Sequence, residues 1–194
     1  MPNDSSTGGY LQPLVTSPPL EDDALDAVFQ QLVVGLTGLP GNMVRPRWQP
    51  TVPKQPEPTE NWCAIGLIED EPDDYPAVIH QSSGNGQDNF YQHETLNVLA
   101  SFYGPGSMGY AKLARNGLYI AQNREALMGA GFDVLEAKRI TAAPELINQH
   151  WVKRYDLTIR LRRQVVRAYP VLNILSADGT LETGSVTTDI DVQQ

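Results

Sequence analysis

From Pro144 to Tyr169 the chain reads PELINQHWVKRYDLTIRLRRQVVRAY. Within it Tyr155, Leu157, Ile159 and Leu161 alternate with Asp156, Thr158, Arg160 and Arg162. Apolar residues at every second position mark a strand with one face in a core, because successive side chains leave a strand on opposite sides. The run is long enough to be the spine of a sheet. Its alternation changes phase near Arg163, with Leu161 on the odd face and Val166 and Ala168 on the even one. A bulge or bend is expected there, since one extra residue turns every later side chain over.

Arg154, Arg160, Arg162, Arg163 and Arg167 crowd this stretch in a chain whose formal charge is −9. Two readings stand side by side. One is a solvated face paired with carboxylates of a neighbouring strand; the other is a subunit interface or nucleic-acid contact, because the guanidinium fork suits planar bidentate partners. The acidic balance disfavours a free-standing duplex-DNA binder, which needs cations to neutralise phosphates.

A length of 194 residues and a hydrophobic content of 41% suit a single ordinary domain with extensions. Cys63 is the only cysteine, so neither an internal disulfide nor a cysteine-based zinc site can be built from this chain, and a reducing compartment fits. MPNDSSTGGYLQPL has no basic segment followed by an apolar one, and nowhere do about eighteen apolar residues run together. The expectation is a protein made in the cytoplasm, without membrane contact or export signal.

In chain order, residues 1–19 are rich in Ser, Gly and Pro and are expected to be a flexible arm. Glu21, Asp22 and Asp23 precede Leu25, Val28, Phe29, Leu32, Val33 and Leu36 at helical spacing, and Gly38 and Pro40 end that helix. The following LTGLPGNMVRPRWQPTVPKQPEP is too rich in Pro and Gly for regular structure. Its part from 46 to 58 is expected to lie extended on a surface, anchored by Arg45, Arg47 and Trp48. Strands are expected at Trp62–Ile68, at Tyr75–His80 after the acidic turn EDEPDD, and at Leu96–Phe102 after the loop QSSGNGQDN.

Ser107 is a candidate cap for the helix MGYAKLARNGLYIAQ, whose stripe of Tyr110, Leu113, Ala114, Gly117, Leu118 and Ala121 is small enough to lie close against a sheet. A short helix NREALMGAG, a strand Phe132–Ile140 and a helical or turn segment Pro144–Asn148 lead into the spine. After Pro170, Val171–Leu175 and Val186–Val192 are expected to pair through a turn at Asp178-Gly179. The expected class is α+β: a mainly antiparallel sheet with helices on one face, in a domain from 20 to 170, with an N-terminal arm and a C-terminal β-hairpin extension at 171–194.

Chemistry is sparse. His80, His93 and His150 have no metal spacing, and His93 and Glu94, adjacent on a strand, point to opposite faces. Gly84 and Gly86 lack the strand-to-helix setting of a phosphate loop, and the run Glu69 to Asp74 lacks the spaced ligands of a calcium loop. No catalytic residue, cofactor or metal is expected, and an enzyme is the least favoured class.

Four pieces in order, LTGLPGNMVRPRWQP, LASFYGPGS, ARNGLYIAQNREAL and PELINQHWVKRYDLTIRLRR, resemble the neck or tail terminator proteins of long-tailed bacteriophages, over about Leu25 to Leu175. The resemblance implies a structural virion protein assembled in the host cytoplasm into a homo-oligomeric ring, hexameric in the family. Such a ring caps the tail tube, meets a neck or head-completion protein, in some cases a tail sheath, and lets double-stranded DNA pass without specific binding. Arg45, Arg47, Trp48, Arg154, Arg160, Arg162, Arg163 and Arg167 are the candidate subunit and partner contacts. The alternatives are another head–tail connector or tail-tube subunit, or a nucleic-acid module using the arginine strand.

Overall fold

A computed structural model describes residues 3–15, 18–51, 53–147, 149–174, 176–183 and 186–193. The first helix, α1 (Asp22–Thr37), buries Leu25, Phe29, Val33 and Thr37, a stripe at intervals of four. It ends where expected. Gly38 adopts φ 71°, which a residue with a Cβ resists, and donates its N–H to the Val34 carbonyl. The segment after it is more regular than its prolines suggested: a short 3-10 turn, Gly41–Met43, leads into β1 (Val44–Pro46). β1 lies at the sheet edge and pairs in parallel with β2 (Trp62–Pro72), a position that tolerates proline.

β2 runs on through Glu69, Asp70 and Glu71, where a turn was expected, with a register shift between Leu67 and Glu69. The carboxylates stay in a strand because cross-strand partners satisfy them. β3 (Ala77–Gln81) pairs with the start of β4 (Gln87–Tyr103), so the expected loop QSSGNGQDN shortens to residues 82–86, its two ends being strand. Then come α2 (Ser107–Gly117), α3 (Ala121–Gly129), β5 (Phe132–Ala137), β6 (Thr141–Ala142), β7 (Glu145–Ile147), β8 (His150–Val152) and β9 (Arg154–Tyr169). β7 and β8 form a small antiparallel pair where a helical or turn segment was expected. Ser107 is the first residue of α2 rather than its cap, and no side chain caps that helix.

β9 is the spine, with neighbours β4 and β5, in a sheet of order β1-β2-β4-β9-β5 that also carries β3 on β4 and β6 on β9. β2 with β4, β3 with β4, and β5 and β6 with β9 are antiparallel, and β1 alone of these registers is parallel. The fold is therefore α+β on a mainly antiparallel sheet. On one face Ile65, Val98, Phe102, Leu157, Ile159 and Leu161 are fully buried with Phe29 and Val33 of α1 and Ala111 and Ala114 of α2. Each large side chain so buried contributes roughly 1.5–3 kcal/mol relative to an exposed one. Gly117 lets α2 approach α1 closely, since a Cβ there would lie 2.8 Å from Leu36 Cδ2.

The phase change expected at Arg163 is absent. Odd positions stay buried from Leu157 through Val165, and Arg163 is among them. The irregularity lies in the partner strand instead, between Val134 and Glu136 of β5. An arginine at a core-facing position had looked like a break in the pattern.

The chain divides into two compact units. Pro19–Pro76 with Gln92–Val165 holds the helices and the core just described. The other unit comprises Met1–Pro18, Ala77–Tyr91 and Val166–Gln194. Within it Ser5 N–H donates to Pro170 O and Leu14 N–H to Ala168 O. β10 (Ser176–Thr183) and β11 (Val186–Gln193) form the terminal hairpin. Its turn is not at Asp178-Gly179, which lie inside β10 opposite Asp191 and Ile190. Residues 184 and 185, between the two strands, lie outside the described residues. Residues 171–174 are not strand, and Leu175 lies outside the described residues.

Candidate assembly surface

Arg154, Arg160 and Arg162 of β9 gather on the sheet face away from the helices. Even-numbered positions of β9 point there. Arg162 Nη2 donates to Asp73 Oδ2 at 2.8 Å, and Arg160 reaches Glu71 Oε2 at 3.4 Å and Glu136 Oε2 at 3.8 Å. Asn97 ties the same row together, its amide nitrogen donating to Glu69 and Glu71, each at 2.9 Å. This is the carboxylate-paired arrangement that the sequence offered as one of two readings. The partners were hidden in the acidic run from Glu69 to Asp73, whose alternate positions 69, 71 and 73 carried a strand signal that the density of charge obscured.

Arg154 sits further along the same strand. Its fork grips Asp156 at 2.7 and 2.8 Å, it bonds Glu145, and its Cζ lies 5.6 Å from the centre of the Tyr103 ring, which stacks on Trp62 at 4.2 Å. Burial pulls this guanidinium down, but the hydrogen bonds it donates to Asp156 and the neighbouring Tyr103 and carboxylates outweigh it and hold its pKa above the ordinary arginine value. Arg154 is thus a permanent cation built into the sheet.

Arg163 is on the opposite, helix-covered face. It bonds Glu94 at 2.7 Å and the Leu20 carbonyl, closing the core where α1 begins. Asp70 faces this pair; burial first, and then Glu94, push its carboxyl above the usual range, while Arg163 pulls it down. Arg167 lies half-buried beyond it on β9. Arg45 bonds the carbonyls of Asn42 and Lys54, Arg47 donates to Ser101 Oγ at 2.6 Å, and the Arg47 Cβ lies so close to Gly66 that a Cβ there would be 3.0 Å from it. Arg45 and Arg47 therefore hold the proline segment down on the sheet. Trp48 beside them is 72% exposed, as is Trp151.

These groups do not converge on a reacting atom. Burial pushes the Cys63 thiol far up, so it stays protonated. His93 is exposed beside Gln164, with Glu94 turned to the other face. Among the described residues no group of three or more His, Cys, Asp or Glu side chains is placed to hold a metal ion, and no helix is long and apolar enough to cross a membrane. What the molecule offers is surface: Arg154, Arg160, Arg162 and Arg163 of β9 paired with carboxylates of the same chain, and large apolar side chains such as Trp48 and Trp151 left exposed.

The model of the phage neck terminator protein family matches residues 23–185. The chain belongs to the phage neck terminator protein family. No curated protein matches it. Among solved structures, a chain from the virion of a native gene transfer agent particle is 17% identical, with 75% of this chain and 94% of that chain covered and a TM-score of 0.29. As a neck terminator protein the chain is a structural component of a bacteriophage virion, where it meets other proteins of the tail and head. The resemblance read from its four sequence pieces holds.

Proposed function

We propose that this chain assembles into a ring, of six copies, that caps the phage tail tube and joins it to the connector on the head side. The observation that carries this reading is the family match, which takes in every helix and the whole seven-stranded sheet. A ring of identical copies needs heterologous contacts, one patch of each copy meeting a different patch of the next. Exposed apolar side chains on separate elements, such as Trp48, Trp151 and Ile120, are material for such contacts. The charge supports the passage of DNA without adhesion: each copy brings −9, and Arg160 and Arg162 are already occupied by carboxylates.

The test is the mass of the purified protein, alone and with tail tubes, together with electron microscopy of the tube ends. A short six-fold ring seated on the tube end is the expected image. Long tubes built of this chain itself would overturn the terminator role in favour of a tube subunit. A monomer that never associates with tube ends would overturn assembly altogether.

A further inference from the structure

Helix α2 differs from the rest of the surface. From Ser107 to Asn123 the sequence has no Asp or Glu, and the two cations of that stretch, Lys112 and Arg115, meet no carboxylate among the described residues. Ala111, Ala114 and Leu118 bury the inner side of the helix. On the outer side Met108 and Leu113, and in the turn that follows the helix Tyr119 and Ile120, are all between 44% and 64% exposed. Leu113, expected in the core-facing stripe, is one of them. Positions 108, 112 and 115 follow one another at four- and three-residue steps, so Met108 shares one helical face with Lys112 and Arg115. The result is an apolar, basic surface on an acidic protein, and nothing among the described residues neutralises it.

The terminal hairpin has the opposite character. Residues 176–193 contain Asp178, Glu182, Asp189 and Asp191 and no Lys, Arg or His. The register sets Asp178 opposite Asp191, Thr180 opposite Asp189 and Glu182 opposite Thr187, which puts all four acidic positions on one face of the ribbon. Like charges directly opposite each other destabilise a strand pair, and a two-stranded ribbon is marginal in water by itself. A cationic surface laid against that face relieves both.

We propose that the acidic face of the β10–β11 hairpin of one copy docks on the outer face of α2 of a second copy. The inference rests on the ring reading and supplies one of its contacts. Two different patches of one chain are complementary, which is the requirement for a head-to-tail interface that repeats around an axis. Lys112 and Arg115 meet the carboxylate face, while Leu113 and Tyr119 exclude water around them.

The experiment is a charge exchange on the full-length protein, read by native mass and by microscopy with tail tubes. Lys112→Glu with Arg115→Glu, or Asp189→Lys with Asp191→Lys, is expected to weaken assembly at least about tenfold, and the four changes together to restore it, as close charge pairs across interfaces do. Lys112→Glu with Leu113→Ser, both at exposed positions, probes the same surface without touching the C-terminal end of the helix. Thermal melting identifies any variant that fails through folding.

Rings that persist unchanged in either single-sided variant overturn the docking while leaving the ring standing. Singly broken rings that the four-fold exchange does not restore overturn the hairpin as occupant. Rings that form normally but no longer seat on tubes assign the α2 face to the tube protein instead, and also overturn it. Wild-type protein that forms no ring, alone or on tubes, removes the ring reading and this inference with it.

Discussion

Arg163 donates from Nε to Glu94 Oε2 at 2.7 Å, with only 8% and 14% of the two side chains exposed. One residue earlier on the same strand, and so on its other face, Arg162 bonds Asp73 at 2.8 Å with more than two fifths of each side chain in solvent. Residue type and bond length are alike. The environment differs, and with it the consequence of breaking each pair.

Arg163→Met leaves Glu94 charged in a nearly dry site and also frees the Leu20 carbonyl at the start of α1. Stability should fall by about 3–5 kcal/mol, the range for removing one partner of a buried pair. Adding Glu94→Leu should recover most of that loss, because the unpaired charge is then gone. Urea unfolding of the two variants checks this; equal losses in both would show that the pair itself, rather than the stranded carboxylate, carries the energy.

On the other face, Arg160→Gln together with Arg162→Gln should cost far less. These pairs are open to water and to salt, so each contributes about 0.2–1 kcal/mol. The melting temperature should move little and be insensitive to added salt in the variant. A loss as large as that of Arg163→Met would mean that this face is buried in the protein as it occurs in solution, against another copy.

Gly104→Ala should be severe for a geometric reason. Gly104 sits at φ 101°, and a Cβ there would lie 2.2 Å from the Glu60 carbonyl oxygen and 2.9 Å from Asn61 Oδ1. The backbone conformation alone costs roughly 1–3 kcal/mol for a residue with a side chain, and the collision adds to it. Asn61 is also the acceptor for the Gly106 N–H at 2.7 Å, so the turn into α2 should loosen. Hydrogen exchange at Gly106 should quicken together with the drop in melting temperature.

His80 provides a pH dependence. Asn173 donates its amide nitrogen to the Ser82 and Gly84 carbonyls, which turns its oxygen toward His80 Nε2 at 2.8 Å, while Nδ1 faces Asp88 Oδ1 at 2.6 Å. Both ring nitrogens therefore meet acceptors, and the hydrogen bond to Asp88 first, then that to Asn173, hold the pKa above the ordinary 6.5. A histidine whose folded value is raised adds stability that is complete below the unfolded value and fades as pH rises through the folded one. Proteolysis near residues 171–174 should thus increase as pH rises above the ordinary histidine value, and Asn173→Ala should flatten the change. A His80 proton resonance titrating at or below the ordinary value would contradict it.

Much of the architecture was legible in local pattern. α1 showed itself by apolar spacing and its Gly38 stop, β9 by alternation, and the α+β class by the order of such segments. Local pattern failed where charge occupied strand or core positions. Glu69 to Pro72 read as a turn because carboxylates rarely extend a strand unless something across the sheet neutralises them, and Arg160 lies far away in sequence. Asp178-Gly179 read as a turn because that dipeptide favours one, yet pairing with Asp191 and Ile190 overrode it.

By itself the sequence determined which segments could bury an apolar face, that Cys63 could form no internal disulfide, and which four pieces resemble the terminator family. Those are properties of composition and of short spacing. Which cation does what was settled by packing: Arg163 lies inside the core edge with Glu94, Arg160 and Arg162 lie on an open face, and Lys112 and Arg115 meet no acid among the described residues. The reason is that a charge is defined energetically by its partners and its access to water, and both are set by segments distant in the chain.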